Sequence, residues 1–159
     1  LPVDAHADDL YATAFAMEEV RAIFSRIRSK RLIFIVDSCF SGAAGGRTIA
    51  LSPKLRGVKV LDQFLERMAQ GEGRIILSAS GPAELSREEP SLNHGVFTYY
   101  LLKALRGEAD INRDGYVSVP ETYAYVSQEV SRATDHKQQP MLKGEQSGEI
   151  ILGKVAKGK

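Results

Sequence analysis

The sequence predicts an α/β domain with a largely parallel sheet. Three apolar, strand-like segments alternate with amphipathic segments whose apolar residues recur every three to four positions. This alternation is typical of strand–helix–strand units, in which the strands of one sheet run parallel. The chain has 159 residues, 43% of them hydrophobic and 26% charged, so we expect one domain with a core of its own.

The three predicted strands differ in how they end. Residues 31–37 are almost continuously apolar, which is typical of a central strand covered on both faces. Residues 74–80 begin in the same way but turn polar at their end. A third and later strand is predicted over residues 149–153.

Four helices are expected before and between these strands. Apolar residues recur at helical spacing over residues 17–27 and 60–68, which predicts helices with one face on the sheet. A third helix is predicted over residues 97–105 and is closed by Gly107. A fourth begins near Pro120, because proline is favoured in the first turn of a helix.

Composition excludes several classes of function. Twenty-one Lys and Arg residues against 20 Asp and Glu leave a net charge of +1, so no nucleic-acid partner is expected. The longest apolar run, Leu32–Val36, is far shorter than the roughly 18 to 20 residues that span a bilayer, so no membrane partner is expected. We expect a cytoplasmic protein.

Because Leu1–Ala5 contain no initiator Met and no signal pattern, the chain is expected to be a piece of a longer one.

Cys39, the single cysteine of the chain, lies two residues beyond the first predicted strand. A single cysteine excludes an intrachain disulfide and a zinc site built from several thiolates. A Gly-rich loop over residues 42–57 follows, and open α/β sheets place their ligand sites at such strand ends. Asp37 disfavours the thiolate by like-charge repulsion, so activation requires a separate base such as histidine. The alternative is that Cys39 is a small buried hydrophobic residue.

The segment Asp37-Ser38-Cys39-Phe40-Ser41-Gly42 resembles the catalytic-cysteine motif of the metacaspases and their bacterial relatives, the orthocaspases, within the caspase-like cysteine peptidases. Residues 75–80 and 94–105 resemble the next strand and helix of that family, and residues 139–140 and 149–153 its closing segment. The resemblance implies a caspase-like three-layer α/β/α sandwich whose N-terminal strands are missing from this chain. One departure is Phe40, where metacaspases commonly have histidine.

The resemblance implies a cysteine endopeptidase in which Cys39 and a histidine form the catalytic dyad. In caspase-like enzymes that histidine lies about 50 residues before the cysteine, whereas Leu1 is 38 residues before Cys39. The base is therefore expected upstream, on an N-terminal fragment that is itself a partner of this chain. The three histidines of the chain are weaker alternatives: His6, His94 and His136.

The resemblance also implies specificity. Asp37 matches a metacaspase residue at the floor of the pocket for the side chain that precedes the scissile bond. A carboxylate there selects protein or peptide substrates with Arg or Lys at that position. Ser78, Ala79 and Ser80 correspond to the strand end along which an extended peptide would lie. Asp37 as a turn-capping residue is the alternative. Such an enzyme could cut itself in the loop over residues 42–57, which contains Arg47, Lys54 and Arg56.

Residues 110–121 fit the twelve-residue calcium loop D-x-[DN]-x-[DN]-G-x5-E at every specified position. Gly115 permits the sharp turn, and helices are predicted on both sides. Three carboxylates predict weak Ca²⁺ binding, and the alternative is a turn whose carboxylates bond backbone N–H groups. A catalytically inactive caspase-like calcium-binding or interaction domain is thus the second function hypothesis. The candidate ligands are Asp110, Asn112, Asp114, the Tyr116 carbonyl, Ser118 and Glu121.

Overall fold

A computed structural model of the chain describes residues 6, 9–13, 16–37, 65–81, 88–89, 94–145 and 148–155. The described residues contain both helices and strands. The elements, in chain order, are α1 (Leu10–Thr13), α2 (Met17–Arg26), β1 (Leu32–Val36), α3 (65–68), β2 (Arg74–Ser78), β3 (Glu88–Glu89), β4 (His94–Gly95), α4 (Val96–Lys103), a π-helical turn (Ala104–Glu108), β5 (Tyr116–Ser118), α5 (Val119–Ala133), β6 (Met141–Lys143) and β7 (Ile151–Lys154).

The main described sheet has the strand order β1-β2-β6. β1 and β2 are parallel, with their register running from Leu32 opposite Arg74 to Val36 opposite Ser78. β6 adds to β2 in the antiparallel direction, so that Ser78 faces Met141. Because β6 enters at the edge where β1 and β2 end, three chain segments meet at the carboxyl edge of the sheet.

Side chains on the two faces of the sheet belong to separate cores. Successive residues of a strand point to opposite faces, and in β2 Ile76 packs with Phe24 of α2 and with α3, whereas Leu77 packs with α4 and α5. Ile75, on the same face as Leu77, joins a smaller cluster with Val119 and Ile150. Helices therefore cover both faces, and the predicted three-layer α/β/α class is confirmed.

The late strand has a different partner from the one that a single parallel sheet would give it. β7 covers Ile151–Lys154 rather than residues 149–153, and it pairs antiparallel with β5 in a separate two-stranded sheet. Residue 150 instead precedes the strand, where its carbonyl accepts a hydrogen bond from the Val119 N–H at 2.9 Å. β5 has three residues, too few for alternation to reveal it in the sequence.

The helices that flank the acidic loop follow the predicted pattern. Gly107 ends the first with φ 115°, a left-handed conformation that glycine adopts without strain. A Cβ at residue 107 would lie 2.7 Å from Val155 Cγ1, so a side chain there would clash with Val155 and glycine is also required for steric reasons. α5 begins at Val119 with a capping box between Ser118 and Glu121 and a proline in its first turn. Of the helix predicted over residues 60–68, the structure describes residues 65–68.

Candidate functional site

Asp37 and the end of β2 lie together at the carboxyl edge of the sheet. Asp37 directly follows the last residue of β1, and it is exposed. The pairing continues one step beyond the strands, since the Ala79 N–H donates to the Val36 carbonyl at 3.0 Å. The predicted substrate-binding residues are thus close in space. Cys39 and the Gly-rich loop over residues 42–57 lie outside the described residues.

The Asp37 carboxylate is held by a residue of α4. Thr98 Oγ1 donates a hydrogen bond to Asp37 Oδ2 at 2.6 Å. Thr98 is the third residue of α4, and 61 positions separate the two partners in the sequence. Sequence reasoning missed Thr98, because a single threonine on this helix does not stand out by local pattern.

The three residues at the end of β2 have different environments. Ser78 is 7% exposed, and its hydroxyl donates to the Ser80 carbonyl at 3.2 Å. Ala79 is 1% exposed, and its carbonyl accepts a hydrogen bond from Gln138 Nε2 at 2.9 Å. Ser80 is partly exposed, so among the three it offers the most surface to a ligand.

Gln138 is a second residue that sequence reasoning missed. It is fully buried, and its backbone N–H donates to Thr134 Oγ1 at 3.1 Å. A buried primary amide must satisfy its donors and acceptor inside the protein, and here one donor fixes Ala79. Gln138 therefore ties the segment before β6 to the end of β2. Its place just before the predicted Gln139-Pro140 segment gave no sign of burial.

The histidines of the chain occupy three different places. His6 is exposed, and its backbone N–H donates to Thr13 Oγ1 at 2.9 Å. His94 is in β4, opposite Glu89. His136 follows α5, where its Nδ1 lies 2.7 Å from Ser131 Oγ. Their relation to Cys39 stays a prediction.

In the acidic loop, the side chains of Asp110 and Asp114 accept hydrogen bonds from the backbone. Asp110 Oδ1 accepts from the Asp114 N–H at 3.1 Å and Oδ2 from the Gly115 N–H at 3.0 Å. Asp114 Oδ1 accepts from the Tyr116 N–H at 2.8 Å. Gly115 has φ 85°, as the sharp turn requires. These bonds are those of the turn that the sequence leaves open as the alternative to a calcium loop, and each carboxylate keeps lone pairs for a further partner.

Glu121, the last candidate ligand, has two unlike oxygens. Oε2 accepts from the Ser118 hydroxyl at 2.7 Å and from the Ser118 N–H at 3.0 Å. The Ser118 hydroxyl lowers the pKa of Glu121 against the effect of desolvation, with help from nearby backbone N–H groups. Oε1 is buried with no hydrogen-bond partner. Within the described ranges, no three His, Cys, Asp or Glu side chains converge in an arrangement that could hold a metal ion.

A polar network joins the helices on either side of this loop. Tyr125 of α5 donates its hydroxyl to Glu108 Oε2 at 2.6 Å, and Lys103 Nζ lies 3.1 Å from the same oxygen. The hydrogen bond from Tyr125 is the main cause that lowers the pKa of Glu108. The network links α4 and the turn that follows it to α5, the helix on the other side of the loop.

A cleft of about 600 Å³ lies at the amino edge of the sheet, opposite to the edge that carries Asp37. It is lined by Glu66, residues 69–72 and residues 143–145. Residues 69–72 precede β2 and residues 144–145 follow β6, so the cleft opens at the amino edge, away from Asp37. It does not coincide with the predicted substrate site.

Among the described helices, none is long and apolar enough to cross a membrane.

A three-layer α/β domain with an exposed aspartate at the carboxyl edge of its sheet, two residues before a lone cysteine, has the organisation of a cysteine peptidase. Residues 1–149 match the family model described as the caspase domain, so the chain belongs to the caspase family of cysteine peptidases. Neither the curated proteins nor the solved structures contain a significant match to the chain.

Proposed function

We propose that this protein is an endopeptidase of the metacaspase or orthocaspase type that cleaves peptide bonds after Arg or Lys. Asp37 is the observation that carries the proposal. Its carboxylate is exposed at the carboxyl edge of the sheet, two residues before Cys39. A carboxylate in this place recognises a guanidinium or ammonium group by charge-assisted hydrogen bonds. The exposed surface of Ser80, on the neighbouring strand end, provides the adjoining wall for an extended peptide.

In the proposed reaction, Cys39 attacks the carbonyl carbon of the scissile bond. A histidine of the upstream segment takes the thiol proton and donates it to the leaving amine, which departs as the C–N bond breaks. Water then hydrolyses the thioester, releasing the carboxylic acid and restoring the thiol. The Cys39 backbone N–H contributes to the oxyanion hole, a role carried over from the family.

We expect the protein that includes the upstream segment to cleave fluorogenic peptides after Arg and Lys and to leave the matched Asp peptide intact. The measurement is kcat/KM for the three peptides, with Cys39→Ala as the control that loses the nucleophile. Equal cleavage after Asp and Arg would contradict the proposed pocket. Cleavage that persists in Cys39→Ala would contradict the proposed nucleophile.

We also propose that the acidic loop binds Ca²⁺ weakly. Support comes from the turn at Gly115 and from the buried Glu121 Oε1, an oxygen without a hydrogen-bond partner that a cation would satisfy. The loop would have to close around the ion, because its carboxylates do not converge in the described structure. Glu121 would then be the bidentate ligand, and the Asp110, Asn112 and Asp114 side chains, the Tyr116 carbonyl and Ser118 would supply the other oxygens. Bound Ca²⁺ would neutralise the loop charge and steady α4 and α5. If Cys39 proved inert, this loop would favour the calcium-binding, inactive domain.

We expect Ca²⁺ to raise the melting temperature, because a ligand of the folded state at about 100 times its Kd stabilises that state by about 2.7 kcal/mol. Glu121→Gln should remove most of this shift while leaving the alkylation rate of Cys39 unchanged. Glu129→Gln, two turns further along α5, is the control and should keep the shift. An unchanged melting temperature in millimolar Ca²⁺, with no heat of binding in calorimetry, would identify the loop as a plain turn.

A further inference from the structure

Asp37 follows the last residue of β1, so it lies outside the pairing between β1 and β2, which ends at Val36. The structure supplies a contact from another layer of the fold. Thr98 Oγ1 lies 2.6 Å from Asp37 Oδ2, a short distance typical of a hydroxyl that donates to a charged acceptor. Asp37 directly follows β1 and Thr98 lies in α4, so the contact depends on the packing of the helix against the sheet.

α4 is well placed to hold this contact. The residue before Thr98, Phe97, is fully buried in the core that contains Leu77 and Ala79 of the neighbouring strand. Thr98 itself is partly buried. Because the buried Phe97 fixes the rotation of the helix about its axis, the hydroxyl of Thr98 faces the Asp37 carboxylate.

We propose that Thr98 is a positioning residue that orients the Asp37 carboxylate for an arginine side chain of the substrate; this inference rests on the proposed function. A guanidinium presents a rigid planar fork, and its bidentate recognition requires a carboxylate of fixed orientation. An ammonium group is a compact charge that tolerates a rotated carboxylate. A carboxylate can accept about four hydrogen bonds, so the bond from Thr98 is compatible with a bound guanidinium. Thr98 therefore favours Arg over Lys.

The test measures kcat/KM for three peptides that differ at the residue before the scissile bond: Arg, Lys and citrulline, the neutral analogue of Arg. The enzyme is the protein with its upstream segment. Thr98→Val and Thr98→Ala remove the donor, and Thr98→Ser keeps it. Tyr125→Phe is the matched control, since it also removes a hydroxyl that donates to a carboxylate at 2.6 Å, but at the other end of the helix pair.

We expect Thr98→Val and Thr98→Ala each to lower kcat/KM for the Arg peptide about tenfold, the effect of one hydrogen bond to a charged group, and for the Lys peptide by less than about threefold. The citrulline peptide should change little, and Thr98→Ser should restore the preference of the parent for Arg over Lys. Tyr125→Phe should leave that preference unchanged. A general disturbance of the fold would lower all three values together, so the ratio separates positioning from structure.

The inference is overturned if the parent prefers basic peptides over citrulline and the Arg-to-Lys ratio of both donor-deleting variants stays within about twofold of the parent, since one hydrogen bond to a charge should exceed that. In that case the proposed specificity stands and Thr98 has no part in it. A parent that cleaves the citrulline and Arg peptides equally overturns the proposed function, and this inference with it. Melting temperatures near that of the parent verify that the variants are folded.

Discussion

Asp37→Ala should lower kcat/KM for Arg and Lys peptides about a hundredfold, because a substrate cation would lose its charged partner in the site. Cys39 should remain reactive toward an alkylating agent, and no less so than in the parent, because loss of the neighbouring negative charge favours the thiolate. Asp37→Asn is the matched variant. It preserves the shape and an oxygen that can accept the hydrogen bond from Thr98 but removes the charge, so it should also lose most of the preference for basic peptides.

The citrulline peptide is the internal control for both Asp37 variants. Its kcat/KM should stay within a few-fold of the parent, because a neutral side chain gains little from a carboxylate. An equal loss for the Arg, Lys and citrulline peptides would assign Asp37 to the turn that carries the nucleophile rather than to recognition of the substrate. That outcome would favour the turn-capping role that the sequence leaves open.

Phe97→Ala should lower the free energy of unfolding by about 3 to 5 kcal/mol, the usual cost of truncating a fully buried aromatic side chain. Phe97 is 0% exposed and belongs to the core that joins β2, α4 and α5. The measurement is urea unfolding at equilibrium. Leu102→Ala is the control on the same helix, because Leu102 is 36% exposed and should cost far less. Similar losses for the two variants would show that the helix does not pack by this face.

The strands that local composition could specify were found in the sequence. β1 and β2 are apolar segments rich in isoleucine, which favours buried strands, and the turn at Gly115 follows from the spacing of a short motif. β5 and β6 each have three residues, and their pairing depends on segments far away in the chain. No periodicity of such short segments could have revealed them.

The candidate site was predicted where one chain segment carries it and missed where two segments meet. Asp37 was selected because it lies in one contiguous segment, residues 37–42, that resembles the catalytic-cysteine motif of the metacaspases. Thr98 and Gln138 act across 61 and 59 positions respectively, and their importance arises from contacts that only the folded chain contains. Both are ordinary polar residues by local pattern. Without a relation between distant positions, the sequence offers no reason to select them.

The geometry of α4 also restricts which changes in length the chain can accept. Each residue added to a helix rotates everything beyond it by about 100°, and this segment is fixed at its start by Phe97 in the core and at its end by Gly107, which allows no side chain beside Val155. An insertion or deletion between them would move one of these anchors out of register. Homologues of different length should therefore differ in the loops on either side of this helix. They should keep the nine residues between its two anchors, residues 98–106, constant in number.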